Sequence, residues 1–329
     1  MNQTSWGIIG AARIAREQVI PAIARAEAGE VVAVSSASGK AGQYAEELGI
    51  ARAYDSHDDL LADPQVESVY IALPNGHHAE WIRRAARAGK HVLCEKPLVL
   101  GPAELELVEE AATAGNVVVA EAFMYRYHPQ LEALRDLLAD GTLGDPVAIE
   151  ARLHFGLERA PESAGATDIR LDPALGGGSL LDVGCYPVDL FGLLTDAEPD
   201  EVMGTAVRDH PEGVDTRFAG TLRYGDVLAS FDCSFDSPFR GSATILGARG
   251  SVTLSDVFRA DRMGGVGAMV VETEAGTREM APTGDQYAAQ ATAFARQVRT
   301  GHGDDGPWRW TTYACRTLDR LAAAATPAH

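Results

Sequence analysis

The stretch Trp6-Gly7-Ile8-Ile9-Gly10-Ala11-Ala12-Arg13-Ile14-Ala15 decides how the first third of the chain folds. Trp6 to Gly10 is an apolar, β-rich run, and Ile14, Val19, Ile20 and Ile23 behind it recur at helical spacing. A glycine turn between a strand and a helix lets backbone approach a pyrophosphate closely. The first N–H groups of the helix and its dipole then favour the negative charge. The pattern G-x-G-x-x-G/A is matched only if Ala12 stands in the place of the middle glycine. Gly10, Ala11, Ala12, Arg13 and Ile14 are therefore the candidate phosphate-binding turn, and a plain strand-to-helix turn is the alternative.

Working outward, further apolar runs follow at Val31 to Val34, Ala51 to Tyr54, Val69 to Leu73, His91 to Cys94 and Val117 to Ala120. Helical patterns at about 41–48, 78–88 and 102–114 separate them. Uninterrupted β-rich runs alternating with helices predict a parallel sheet covered on both faces, a doubly wound α/β domain over residues 1–121. Near residue 145 the period changes. Val147, Ile149, Ala151, Leu153 and Phe155 alternate with Ala148, Glu150, Arg152 and His154, and Val227, Ala229, Phe231, Cys233 and Phe235 alternate with Leu228, Ser230, Asp232, Ser234 and Asp236. Period-two alternation predicts a large, mainly antiparallel open sheet in an α+β domain over residues 122–329. Further strands are expected near 202–208, 217–224, 242–247 and 251–254, and helices at about 285–299 and 309–324. Packing of the last helix back on the first domain is one option.

Composition bounds what such a chain does. The 329 residues carry 28 Lys+Arg against 47 Asp+Glu, a net charge of −19, which argues against nucleic acid and anionic membranes as partners. Cys94, Cys185, Cys233 and Cys315 are far apart in sequence and form no zinc-type cluster, which suits reduced thiols in a cytoplasmic protein. No secretory signal or membrane-spanning run is visible.

Three places carry chemistry. After the second strand, Ser35-Ser36-Ala37-Ser38-Gly39-Lys40 replaces the acidic residue that accepts from an NAD ribose. The hydroxyls of Ser36 and Ser38 with the Lys40 ammonium suit a 2′-phosphate, so NADP is favoured over NAD; a polar loop without contact to cofactor is the alternative. Lysine occurs only at Lys40, Lys90 and Lys96, although arginine is plentiful. Lys96 follows the fifth strand at its carboxyl end, where ligands bind in open α/β sheets, and a lysine can lose its proton as arginine cannot. It is either functional or a solvated strand-end lysine. Pro97 helps to fix the turn, with a cis bond as one way to do so. Finally, Gly176-Gly177-Gly178 leads into a helix on which Asp182 and Tyr186 lie at i and i+4, hence on one face. A carboxylate and a phenol there could hold a hydroxylated substrate and relay a proton, or the run could be a glycine-rich cap with Tyr186 in the core.

Taken in order, these segments resemble the Gfo/Idh/MocA family of nicotinamide-dependent oxidoreductases. The resemblance spans most of the chain. It rests on the glycine turn, Leu73-Pro74-Asn75-Gly76-His77-His78, Gly89-Lys90-His91-Val92-Leu93-Cys94-Glu95-Lys96-Pro97, Glu121-Ala122-Phe123-Met124-Tyr125-Arg126-Tyr127-His128-Pro129 and the triple-glycine run ending at Tyr186. The segments around Tyr125 and Tyr186 are most similar to the aldose (xylose-type) and trans-dihydrodiol dehydrogenase branch. The resemblance implies that Lys96 and Tyr186 form the proton-transfer pair, either being the immediate base, with Asp182 orienting substrate or lysine. It implies that Leu73, Pro74, Asn75, His78 and Glu95 border the cofactor together with Lys96. Tyr125, Arg126, His128, Phe155 and Arg170 are then candidates for the substrate wall. The adjacent His77 and His78 lack a companion ligand cluster, and no metal is expected. Ala12 and Ala37 depart from the family pattern.

The expected activity is hydride transfer between NADP, or NAD, and a carbinol of a cyclic sugar or vicinal diol, such as an aldose at C1 going to a lactone. A redox-neutral glycosidase or epimerase-like enzyme with tightly held cofactor, and a non-catalytic NADP sensor, are the competing readings. A homo-oligomer, dimer or tetramer, is expected.

Overall fold

The computed structural model describes residues 4–26, 28–157, 168–208, 213–301 and 305–327. They fall into two compact units, residues 1–123 with 287–309 and residues 124–286 with 310–329.

The first unit runs β1 (Thr4–Ile9), α1 (Ile20–Arg25), β2 (Gly29–Ser35), α2 (Ala41–Leu48), β3 (Arg52–Tyr54), α3 (His57–Ala62), β4 (Ser68–Ile71), α4 (His78–Arg87), β5 (His91–Cys94), α5 (Pro102–Gly115) and β6 (Val119–Glu121). All six strands are parallel, in the order β3-β2-β1-β4-β5-β6. Trp6, Ile8, Ile9, Val69, Tyr70, Ile71, Val92 and Leu93 are buried, as strands with both faces covered require. The register sets Ile9 beside Ile71 and Ile71 beside Cys94, so these three strands end level with one another. Gly10, Leu73 and Lys96, which follow them, leave the sheet along one edge. Before α1 the chain makes one π-type turn, Ala15–Val19, in which the Ile20 N–H bonds the Ala15 carbonyl. Pro21 follows this π-type turn as the second residue of α1. Lys90, one of the three lysines, is structural: its buried ammonium donates to the carbonyls of Asp63 (2.9 Å) and Val66 (2.7 Å), and burial lowers its pKa.

The second unit contains α6 (Pro129–Ala139), β7 (Pro146–Gly156), α7 (Cys185–Thr195), β8 (Glu201–Arg208), β9 (Asp215–Tyr224), β10 (Val227–Ser234), β11 (Asp236–Gly247), β12 (Gly250–Ser255), β13 (Met269–Thr273) and β14 (Gly276–Met280). Then come α8 (Gln286–Thr300), which belongs mostly to the first unit and sets Phe294 5.1 Å from Trp6, α9 (Asp305–Ala324) and β15 (Ala325–Pro327). The nine strands are ordered β14-β13-β12-β11-β7-β10-β9-β8-β15. Only β7–β10 and β8–β15 pair in parallel. The alternating residues Ile149, Ala151, Leu153, Ala229, Phe231 and Cys233 are buried, as period two predicts. β14 is absent from the sequence reading because Gly276 to Glu279 are exposed, so no apolar alternation marks this edge strand. Among the described residues, no helix is long and apolar enough to cross a membrane.

A buried ion pair stands at the centre of the second unit. Asp189, on α7, accepts from the Arg126 Nε at 3.0 Å, from the Arg126 Nη2 and from the Tyr125 hydroxyl, and all three side chains are buried. Removing one partner strands the other charge in the interior. Asp189→Ala is expected to lower stability by about 3–5 kcal/mol, read as a drop in chemical-denaturation midpoint of the second unit.

Candidate active site

In the first unit the candidate cofactor residues gather at the carboxyl edge of the parallel sheet. β1 and β4 are neighbours there although β2 and β3 lie on the far side of β1, so the strand order reverses at this point. Gly10 has φ +102°, and a Cβ on it would stand 2.5 Å from the Ala72 carbonyl oxygen. Only glycine fits there. Its N–H bonds the Ser35 carbonyl at 2.9 Å, which joins the turn after β1 to the end of β2. Ala11 and Ala12 are half-buried, and helix begins at Arg13 and Ile14, with Arg13 exposed. This is a narrow cradle opening onto fresh N–H groups, and it fits a dinucleotide pyrophosphate. After β2, Ser36 is buried with its hydroxyl 3.0 Å from that of Ser38, and Lys40 is exposed at the start of α2. Glu30 is the second residue of β2, at the opposite end of the strand.

Lys96 is half-buried in the turn after β5, and its bond to Pro97 is cis. Neighbours of Lys96 are held by side chains from other elements. The Glu95 carboxylate accepts from the buried Tyr70 hydroxyl, on β4. The Leu98 N–H donates to the buried Glu121 carboxylate at 2.8 Å, from β6. The Pro97 carbonyl lies 2.8 Å from His78 Nδ1, on α4. Leu73, Pro74 and Asn75 form the turn after β4, and the Leu73 carbonyl lies 2.9 Å from His78 Nε2.

In the second unit the glycines build the start of the helix. A Cβ on Gly177 would stand 2.5 Å from the Arg170 carbonyl, and one on Gly178, whose φ is +117°, 2.5 Å from Asp215 Oδ1. Asp215, the first residue of β9, accepts from the Ser179 hydroxyl at 2.6 Å and the Leu180 N–H at 2.7 Å. The chain then makes a π-type turn, Leu180–Gly184, before α7, and Pro187 falls in the first turn of α7. Asp182 and Tyr186 ride on this continuous helical stretch. Asp182 Oδ2 accepts from Arg170 Nε at 3.0 Å, and Arg170 Nη1 pairs with Asp168 at 3.3 Å. The Arg170 guanidinium lies over the Phe155 ring, 5.8 Å from its centroid. Burial pulls the Arg170 pKa down, but Asp182 and Asp168 outweigh it and hold it above the ordinary value. Tyr186 is buried beside Tyr125 and Phe258, with its hydroxyl 3.8 Å from Met124 Sδ.

The structure thus brings Phe155, Arg170 and Asp182 together and redirects three other wall candidates. Tyr125 and Arg126 are buried with their polar atoms on Asp189, where they organise the interior of the second unit. Burial raises the Tyr125 pKa far above the ordinary value, and Asp189 adds to it. His128 caps α6: Nδ1 accepts from the Gln130 N–H at 3.2 Å and Nε2 donates to the Gly265 carbonyl at 3.0 Å. Both ring nitrogens are thereby engaged, which fixes one neutral tautomer. His78, expected to border the cofactor directly, turns its ring to backbone carbonyls.

Comparison with known proteins fits this geometry. Residues 4–123 match the family described as oxidoreductase, NAD-binding Rossmann fold, and residues 131–253 match the GFO/IDH/MocA C-terminal domain. A D-xylose 1-dehydrogenase (NADP(+)) of Haloferax volcanii is 38% identical over 97% of this chain and 97% of its own. The chain belongs to the Gfo/Idh/MocA family of oxidoreductases. The trans-1,2-dihydrobenzene-1,2-diol dehydrogenase of Mus musculus is 34% identical over 77% of this chain and 75% of its own. A crystal structure of a 3-ketoreductase from Actinomadura kijaniata with NADP and TDP-benzene superposes with a TM-score of 0.90, at 28% identity and 99% coverage of both chains.

As a Gfo/Idh/MocA enzyme, this chain is a nicotinamide-dependent oxidoreductase acting on CH–OH groups, and its first unit is the NAD-binding Rossmann domain. Sequence reading missed Asp215 and Tyr70, and quoted Glu121 without its role; these three hold the proposed reactive segments. Asp215 lies beyond any helical or strand spacing from Ser179, so no periodicity marks it. Asp215→Ala should lower stability by about 1–3 kcal/mol, because the Ser179 hydroxyl and Leu180 N–H lose their acceptor. Asp215→Asn, which keeps one carbonyl oxygen, should lose less. Thermal unfolding of the two variants checks this order.

Proposed function

We propose that this enzyme uses NADP to oxidise a ring carbinol of a cyclic sugar or vicinal diol, with an aldose at C1 going to a lactone as the leading case. The observation that carries the reading is a lysine turn braced on Glu95, Pro97 and Leu98, in a chain that keeps Asp182 and Tyr186 on one helical stretch. The names of the relatives support the substrate class: one is a D-xylose dehydrogenase, one acts on an arene-derived diol and one is a 3-ketoreductase.

Gly10, Ala11, Ala12 and the first turn of the following helix would hold the nicotinamide dinucleotide, which would supply the hydride acceptor for the carbinol carbon. Every other task falls to the chain. Lys96 and Tyr186 take the hydroxyl proton as negative charge builds on the oxygen, one of them as immediate base. Asp182 accepts from a substrate hydroxyl, and Arg170 fixes its orientation through Nε. Phe155 supplies an apolar surface beside that pair. Ser36, Ser38 and Lys40 donate to a 2′-phosphate, and the segment Ser35–Lys40 itself contains no carboxylate.

The test is nicotinamide reduction by purified protein with NADP⁺ and NAD⁺ in parallel, over aldoses, inositols and trans-dihydrodiols. Lys96→Ala and Tyr186→Phe should each lower kcat by about 10²–10⁴-fold if they move the proton. Full turnover by Lys96→Ala would overturn the assignment. Nucleotide retained through purification without net reduction would instead favour a redox-neutral catalyst. Lys40→Ala should raise the KM for NADP⁺ by about tenfold and leave that for NAD⁺ nearly unchanged, since a charged hydrogen bond contributes about 1.5–3 kcal/mol.

A further inference from the structure

His78 opens α4, and its ring is fully buried between two turns of the first unit. Nδ1 stands 2.8 Å from the Pro97 carbonyl oxygen and Nε2 stands 2.9 Å from the Leu73 carbonyl oxygen. Both partners are acceptors only. A neutral imidazole has a single N–H and donates to one of them at a time, whereas the imidazolium donates to both. Burial pushes the ring's pKa below the ordinary histidine value. The two carbonyls pull it up, and the charges of Lys96 and His77 push it down again. The neutral ring therefore carries one proton for two acceptors.

We propose that His78 is a positioning residue whose tautomer selects which turn is tied: Nδ1–H holds the Lys96–Pro97 turn, and Nε2–H holds the Leu73–Asn75 turn. This rests on the reading that Lys96 moves the substrate proton and that Leu73–Asn75 borders the dinucleotide. The two neutral tautomers carry the same net charge, and the exchange between them runs through the imidazolium, which donates to both carbonyls while a proton taken from water enters at one nitrogen and the other nitrogen returns one to water. The ring then shifts its single N–H between the two turns, while the contacts that hold the Lys96 turn through Glu95 and Leu98 persist in both states.

Asparagine and glutamine separate the two bonds. The Asn amide nitrogen takes the place of Nδ1, and the Gln amide nitrogen takes the place of Nε2. Two readouts are followed in the full chain: NADPH affinity by fluorescence titration, and the rate of Lys96 modification by an amine-reactive probe, resolved from Lys40 and Lys90 by mass spectrometry. His78→Asn keeps the Pro97 bond, and it should weaken NADPH by about fivefold, the loss of one neutral hydrogen bond, with a smaller change at Lys96. His78→Gln keeps the Leu73 bond and should do the reverse, changing the Lys96 modification rate by about threefold or more with a smaller change in NADPH affinity.

Equal effects of the two variants on both readouts, or no effect of either, would overturn the proposal. Neither readout depends on turnover, so a fully active Lys96→Ala would sink the catalytic reading and leave this test standing. A measurement on the unaltered protein covers variants that fail to fold. The ring ¹⁵N shifts of His78 should move toward the Nε2–H tautomer when NADPH is added, and shifts that stay fixed would refute the exchange.

Discussion

A carboxylate buried away from the surface has to be surrounded by donors, and Asp189 imposes that demand on the second unit. It sits on α7 and takes the Arg126 guanidinium and the Tyr125 hydroxyl from the segment just before α6. Arg126 also reaches the Thr311 hydroxyl at 3.5 Å, which brings in α9. The position of α7 along its axis is thereby set by charge, not only by apolar packing. Everything its leading turns carry inherits that position.

At the other end of the same helical stretch, Asp215 does what an N-cap side chain does, from a different strand. Between the two carboxylates the backbone runs through a π-type turn, and Asp182 and Tyr186 belong to it or directly follow it. Gly178 is glycine because the capping carboxylate occupies the space a Cβ would take. Side chains on a segment held at both ends have little further backbone entropy to lose. The first unit applies the same economy to Lys96, whose sequence neighbours are anchored by Tyr70, His78 and Glu121.

Much of this was legible beforehand. The six parallel strands follow from β-rich runs broken by helical patterns, and the glycine turn after β1 falls where the strand order reverses. α3 and β14 escaped notice because short or exposed elements leave little periodic signal; β13 and α6 went unread although their buried residues, Met269 and Val271 on β13 and Leu131, Leu134 and Leu137 on α6, do recur at strand and helical spacing. The wall candidates Tyr125, Arg126 and His128 show the limit of reading types of side chain. Each carries groups suited to a sugar, yet each is satisfied by protein partners, Asp189, Gln130 and Gly265, that stand far away in the chain or on the backbone.

The sequence by itself determined the period of each segment, the glycine turn, the scarcity of lysine and the order of motifs that marks the family. These are local quantities, written in spacing and composition. Tertiary structure alone decided which polar groups are consumed inside the protein: Asp189 by Arg126 and Tyr125, Asp215 by Ser179 and Leu180 at the start of the helical stretch, and the His78 ring by the carbonyls of two backbone turns. The physical reason is that a buried donor or acceptor must find a partner, and which partner it finds depends on distances between strands and helices that no periodicity encodes.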